Sequence, residues 1–163
     1  MLVNGSYVNS LWNFTSVCEN CYNITGISFS TSANRMNDFS NAFRNCYNLT
    51  TIQESINSPG VISNMAYAFA NCTKLTSFPW AWSNNSCNYA HTFDNTGMTT
   101  GFVNNPVGAS KFNYTFANCK NLTSVGTVNC TSSGTALTGV FYNCRKITTL
   151  PTQIKNAHLN NAF

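Results

Sequence analysis

Apolar residues fall in short clusters that recur at a nearly fixed interval. Phe43, Phe69, Phe93, Phe116, Phe141 and Phe163 are separated by 26, 24, 23, 25 and 22 residues, a mean of 24. Four residues before each stands another apolar side chain: Phe39, Met65, Tyr89, Phe112, Leu137 and Leu159. An i, i+4 pair lies on one face of a helical turn. The pattern therefore predicts a short helical or 3₁₀ turn in every repeat, with N-cap chemistry at Asn34, Ser63, Ser86 and Ser110. An asparagine follows each cluster, at Asn20, Asn45, Asn71, Asn95, Asn118 and Asn143. Asparagine after glycine is the residue that best tolerates the left-handed conformation that ends a helical turn. Next comes a cysteine column, Cys21, Cys46, Cys72, Cys119 and Cys144, replaced once by Thr96. Then a short apolar pair follows: Leu49 with Ile52, Leu75 with Phe78, Leu122 with Val125, Ile147 with Leu150. These pairs read as a short strand.

A period of this length means a solenoid, in which each coil is too small to bury its own core and stacks on its neighbours. Six to seven coils, each a short helical turn plus a short strand in a parallel sheet, would make a rod about 30 Å long. The solenoid is expected over residues 11–163, with an N-terminal arm or cap over 1–10.

Two stretches carry a family resemblance. Residues 41–52, Asn-Ala-Phe-Arg-Asn-Cys-Tyr-Asn-Leu-Thr-Thr-Ile, and residues 61–79, Val-Ile-Ser-Asn-Met-Ala-Tyr-Ala-Phe-Ala-Asn-Cys-Thr-Lys-Leu-Thr-Ser-Phe-Pro, resemble BspA-type leucine-rich repeats. The likeness extends over roughly residues 11–163 and is similar to the mycoplasma and Gram-positive surface-protein branch. It implies a leucine-rich-repeat solenoid and non-catalytic adhesion or recognition, with no catalytic residue to assign.

Composition narrows the function. Only 7% of residues are charged, with 8 Lys/Arg against 4 Asp/Glu, while Asn, Thr and Ser number 27, 20 and 17. An ordinary globular protein carries about 25% charge. Eight scattered cations do not make the dense basic stripe that nucleic acid requires, so no nucleic-acid partner is expected. Glu19, Asp38, Glu54 and Asp94 occupy different repeat columns, which argues against paired-carboxylate catalysis and for a protein that is not an enzyme. No apolar run is long enough to span a membrane. The opening Met1–Tyr7 stretch shows no basic and then apolar segment, so no signal peptide is legible. Low charge, abundant Asn, Ser and Thr, and the missing signal together suggest a virion protein such as a tail fibre, on the virion surface or extracellular. The alternatives are a purely structural virion subunit and a bacterial cell-surface adhesin.

Few residues exceed what the repeat needs. Phe78-Pro79-Trp80-Ala81-Trp82 places two indoles on one side of an extended segment. They form either an exposed platform for a sugar ring or part of the core. Tyr22 and Tyr47 each follow a column cysteine and would be neighbours on one rim, joining a shallow contact patch. Lys74, Lys120, Arg145 and Lys146 gather at the same place in the repeat and would share that rim, either as a solvated edge or as a contact for an acidic surface. Thr25, Thr50, Thr76, Thr99, Thr123 and Thr148 form a hydroxyl row beside the strands, suited to bonding along the ladder. Cys18 and Cys21 have zinc-knuckle spacing. No second pair follows, and both are accounted for as repeat columns, so no metal or other cofactor is expected. Cys87 and Cys130 lie outside the column. The half-repeat Leu159–Phe163 would leave apolar surface exposed, so other protein subunits are expected at the solenoid ends, that end especially. A host-surface glycan or protein is the expected ligand.

Overall fold

The computed structural model describes residues 13–28, 37–53, 62–79, 87–101, 111–126 and 137–149. These are six successive coils, stacked in parallel. Single-residue parallel bridges link Asn13, Asp38, Asn64, Asn88 and Lys111 in order along one corner. On the opposite side of the coil, strand β1 (Gly26–Ser28) pairs in parallel with β2 (Thr51–Gln53), Ile27 opposite Ile52. Further along, Thr100, Ser124 and Thr149 continue as isolated bridges. Pro79 stands where Gln53 stands in β2 and has no N–H to give a ladder.

The expected helical turns are not there. Among the described residues there is no helix, so the helix-plus-strand coil predicted from the i, i+4 apolar pairs is incorrect. The backbone hydrogen bonds give the reason. Within one coil Ala42, Arg44, Cys46 and Leu49 donate to the carbonyl three residues back, at 3.0–3.2 Å. The alternate residues Phe39, Asn41, Phe43 and Asn45 donate instead to Asn64, Ala66, Ala68 and Ala70 of the next coil, at 2.8–2.9 Å. A helix needs every N–H for itself. Here half of them are spent on stacking, and the chain runs as consecutive tight turns. Two left-handed residues per coil enforce this. One column is Asn20, Asn45, Asn71, Asn95, Asn118 and Asn143, with φ between 55° and 65°. The other lies four residues earlier: Ser16, Asn41, Tyr67, His91, Tyr114 and Gly139, with φ between 54° and 58°. A left-handed residue in mid-segment ends any helix there.

The described turns are capped, though not by Ser63. Asn13, Asp38, Asn64 and Asn88 each accept, through Oδ1, the N–H two residues on, at 2.7–3.1 Å. These are Asx turns, which hold the entry to each segment. Ser63 instead gives its hydroxyl to the Asn37 carbonyl. Asn34, Ser86 and Ser110 lie outside the described residues.

The core is a set of stacked columns. Phe43, Phe69, Phe93, Phe116 and Phe141 stack in sequence with centroids 5.5–6.2 Å apart. Phe39, Met65, Tyr89 and Phe112 form a second column, all fully buried. Each buried large side chain contributes about 1.5–3 kcal/mol, and no coil can secure that contribution without its neighbours. The column thiols also work between coils. Cys46, Cys72, Cys119 and Cys144 donate to carbonyls of the preceding coil at 2.9–3.2 Å. Thr96, at the position of the missing cysteine, bonds instead to the Phe93 carbonyl of its own coil and lies 3.2 Å from the Cys119 sulfur of the next.

Candidate functional site

The asparagine column is a structural ladder. Asn45 Nδ2 reaches Asn20 Oδ1 at 2.7 Å, Asn71 reaches Asn45 at 2.8 Å, and Asn95 reaches Asn71 at 2.9 Å. Asn143 reaches Asn118 at 3.0 Å. These amides are consumed by one another. The threonine row is spent similarly: the hydroxyls of Thr50, Thr99, Thr123 and Thr148 point to the threonine carbonyl of the preceding coil, at 2.9–3.4 Å.

What stands out is the other left-handed column. Serine, asparagine and glycine occupy its ends, at Ser16, Asn41 and Gly139. Its middle is Tyr67, His91 and Tyr114, at φ 58°, 54° and 55°. A bulky residue in this conformation costs roughly 1–2 kcal/mol, and such outliers concentrate where a surface has a task. The three rings form one stack, Tyr67 to His91 at 4.5 Å and 6°, His91 to Tyr114 at 4.9 Å and 15°. Stacking returns about 0.5–1.5 kcal/mol per pair. Arg44 closes the near end, its guanidinium carbon 5.4 Å from the Tyr67 centroid and its Nη1 3.6 Å from Glu19 Oε1. Gly139 closes the far end. A Cβ there would overlap the Tyr114 ring, so only glycine lets that ring lie on the backbone. Asp94 fixes the middle ring through a 2.8 Å contact from Oδ2 to His91 Nδ1.

Every ring face in this stack is therefore covered. The surface presents ring edges, two phenol hydroxyls and the outer nitrogen of the imidazole. Edges carry the positive side of the aromatic quadrupole and suit carbonyl and carboxylate oxygens. They do not suit a sugar laid flat on a ring. Sequence reasoning did not find this stripe. Its signal was present, four residues before each ladder asparagine, where Asn41 and Gly139 marked a second left-handed position.

Of the residues singled out in the sequence, Tyr22 and Tyr47 are brought together. Their rings stack at 5.5 Å and 14°, and both are exposed, at 51% and 42%. Trp80, Trp82, Cys130 and Leu159–Phe163 lie outside the described residues, as do residues 1–12. Cys87 is fully buried beside Asn88. Burial pushes the thiols up, to about 11 at Cys119 and to about 12 at Cys46, Cys87 and Cys144. None of these is a poised nucleophile. Among the described residues no three potential ligands gather to hold a metal ion, and no helix is long and apolar enough to cross a membrane.

Comparison with known proteins agrees with the repeat architecture. No curated protein matches the chain. Two solved structures are similar in fold. One is a leucine-rich repeat protein from Bacteroides ovatus ATCC 8483, with a TM-score of 0.59 and 19% identity over 83% of this chain. The other is a leucine rich cell surface protein from Faecalibacterium prausnitzii A2-165, with a TM-score of 0.63 and again 19% identity over 83% of this chain. The match spans 33% and 41% of those two chains, so both are much longer. The model of the BspA type leucine rich repeat region matches in six copies, over residues 14–123 and 40–163. The chain belongs to the BspA-type leucine-rich repeat family.

Proposed function

We propose that the protein is a recognition module of the bacterial cell-surface kind that binds a protein partner through the Arg44–Tyr67–His91–Tyr114 stripe. The observation that carries this reading is the strained column: three bulky residues are held left-handed in successive coils, where the same column elsewhere uses serine, asparagine or glycine. Tyrosine and arginine dominate protein-binding hot spots. A stack gripped from both ends is already ordered, so little side-chain freedom is lost on binding. The covered ring faces favour a protein over a stacked sugar. The virion fibre suggested by composition draws no support from the comparisons, since both similar structures are bacterial and one is described as a cell surface protein. Tyr22 and Tyr47 belong to a separate patch.

The test replaces the stripe with the column's own alternative. Tyr67→Asn, His91→Asn and Tyr114→Asn keep the left-handed backbone. Surface plasmon resonance against a panel of extracellular-matrix and host-surface proteins, intact and deglycosylated, should find at least one partner that survives deglycosylation. The triple variant should lose about tenfold or more in affinity for it with its unfolding midpoint little changed, since one hot-spot residue alone is worth 1 kcal/mol or more. Equal binding by the triple variant, or no protein partner at all, would refute the reading.

A further inference from the structure

A second surface stands apart from the stripe. In five of the six described coils the two residues after the cysteine column form a rim: Tyr22-Asn23, Tyr47-Asn48, Thr73-Lys74, Lys120-Asn121 and Arg145-Lys146; the fourth coil, with buried Gly97-Met98 there, leaves a gap between Lys74 and Lys120. Four of the six Lys and Arg in the described residues sit here, all exposed, and no carboxylate does. The described acids are engaged elsewhere. Glu19 takes Ser16 and Arg44, Asp38 takes Ser40 and Asn64, and Asp94 takes His91 and Asn118. Three of the four rim cations are nevertheless held by side-chain amides. Lys74 Nζ is held 2.7 Å from Asn48 Oδ1, and Lys146 Nζ 3.0 Å from Asn121 Oδ1, each in the preceding coil. Arg145 Nε donates to Asn143 Oδ1 at 2.9 Å. Asn48 in turn donates to the Tyr22 carbonyl. A neutral amide fixes the position of an ammonium without cancelling its charge. The result is an oriented, uncompensated row of cations with the Tyr22–Tyr47 pair at one end.

We infer that this rim binds a linear acidic polysaccharide. Coils stack at about 4.8 Å, so the cations follow one another at roughly 5–10 Å. Duplex DNA presents one charge per ~1.7 Å and is far too dense for this spacing. A sulfated or uronic-acid polymer, with anions separated by hydroxyl-rich neutral stretches, matches it. Asn121 lies among the cations, and Asn23, Asn48 and the tyrosine hydroxyls extend the edge beyond Lys74 with uncharged partners. Such a partner needs no pocket, only a straight repeating edge, which the solenoid provides.

The probe is dextran sulfate, with uncharged dextran of equal length, poly-glutamate and single-stranded DNA as comparisons. The protein should bind dextran sulfate and not dextran, with affinity falling as salt rises. Lys120→Gln should weaken binding about threefold, and Lys74→Gln/Lys120→Gln/Arg145→Gln/Lys146→Gln about tenfold or more. Lys111→Gln, an exposed cation off the rim, should change it less than about twofold. Tyr22→Ser/Tyr47→Ser should weaken binding while leaving the salt slope unaltered. No binding to dextran sulfate would overturn the inference. So would an effect of Lys111→Gln equal to that of Lys120→Gln, or equal affinity for poly-glutamate or DNA, since either would reduce the interaction to net charge. The single Lys120→Gln variant keeps the test decisive if the quadruple variant fails to fold.

Discussion

Asn118 gives its side-chain amide to Asp94 at 2.9 Å, not to Asn95, its neighbour in the asparagine column. Asp94 thereby serves two systems, the ladder through Oδ1 and the aromatic stripe through His91. Asp94→Ala should cost about 1–3 kcal/mol, because it strands a donor on each side. Asp94→Asn retains an acceptor for Asn118 and should cost under about 1 kcal/mol, the His91 pair being partly exposed and screened. Urea unfolding of both variants, with unchanged m-values, measures the difference. Equal losses would mean that Asp94 does not bridge the two systems.

Asn71 combines a backbone duty with a side-chain one. Its φ is 65°, and its amide both donates to Asn45 and accepts from Asn95. Asn71→Gly keeps the conformation and loses two hydrogen bonds, about 1–3 kcal/mol in all. Asn71→Ala loses the same bonds and adds about 1–2 kcal/mol of left-handed strain. Chemical denaturation should therefore rank Ala below Gly by that margin. Were the two variants equally stable, the left-handed backbone would not be the reason for asparagine at this position.

Gly139 and Tyr114 should be coupled. Gly139→Ala places a methyl in the Tyr114 ring as well as straining a φ of 58°, and should destabilise by about 2 kcal/mol or more. With Tyr114→Asn in the background only the strain remains. A double-mutant cycle should give an interaction energy above about 0.5 kcal/mol; a value near zero would show that the ring does not need the glycine.

The buried thiols set an alkaline limit. Cys46, Cys87 and Cys144 are raised to about 12 and Cys119 to about 11, each chiefly by burial, from an ordinary 9.0. Below about pH 8 these cysteines are protonated whether the chain is folded or not, and stability does not respond to pH through them. Above pH 9 the unfolded chain loses thiol protons that the folded chain retains, so stability falls until the folded thiols ionise at about 11–12. Denaturant midpoints should be level from pH 7 to pH 8 and drop by more than about 1 kcal/mol between pH 9 and pH 10. A flat profile across pH 10 would mean the thiols ionise freely in the fold.

Much of the architecture was legible because it is periodic. The Phe, Asn, Cys and Leu columns align by inspection, and each has a physical reason that survives in three dimensions. The helical turn did not survive, because Phe39 and Phe43 face the same way in two successive tight turns as well as in a helix. Side-chain spacing cannot say where the N–H groups go, and here the choice between the chain's own carbonyls and the next coil's decides the fold. The candidate stripe was hidden for a related reason. Tyr67, His91 and Tyr114 are unlikely left-handed residues, and nothing in their identity announces that conformation. Asn13, Asp38, Asn64 and Asn88 recur in the sequence as an Asx column and are a better cap signal than Ser63.

The alternating backbone pattern also gives the rod a direction. On the turn side N–H groups point from each coil to the next, as from Phe14 to Asp38 and from Asn20 to Arg44. On the strand side fewer bonds run back, as from Thr50 to Thr25 and from Thr148 to Thr123. The turn side thus runs from carbonyls at its early end to amide hydrogens at its late end, the reverse polarity of an α-helix. Coils laid down in the chain's own order therefore match donors with acceptors at every step, and a coil inserted in the opposite sense would set like groups against like.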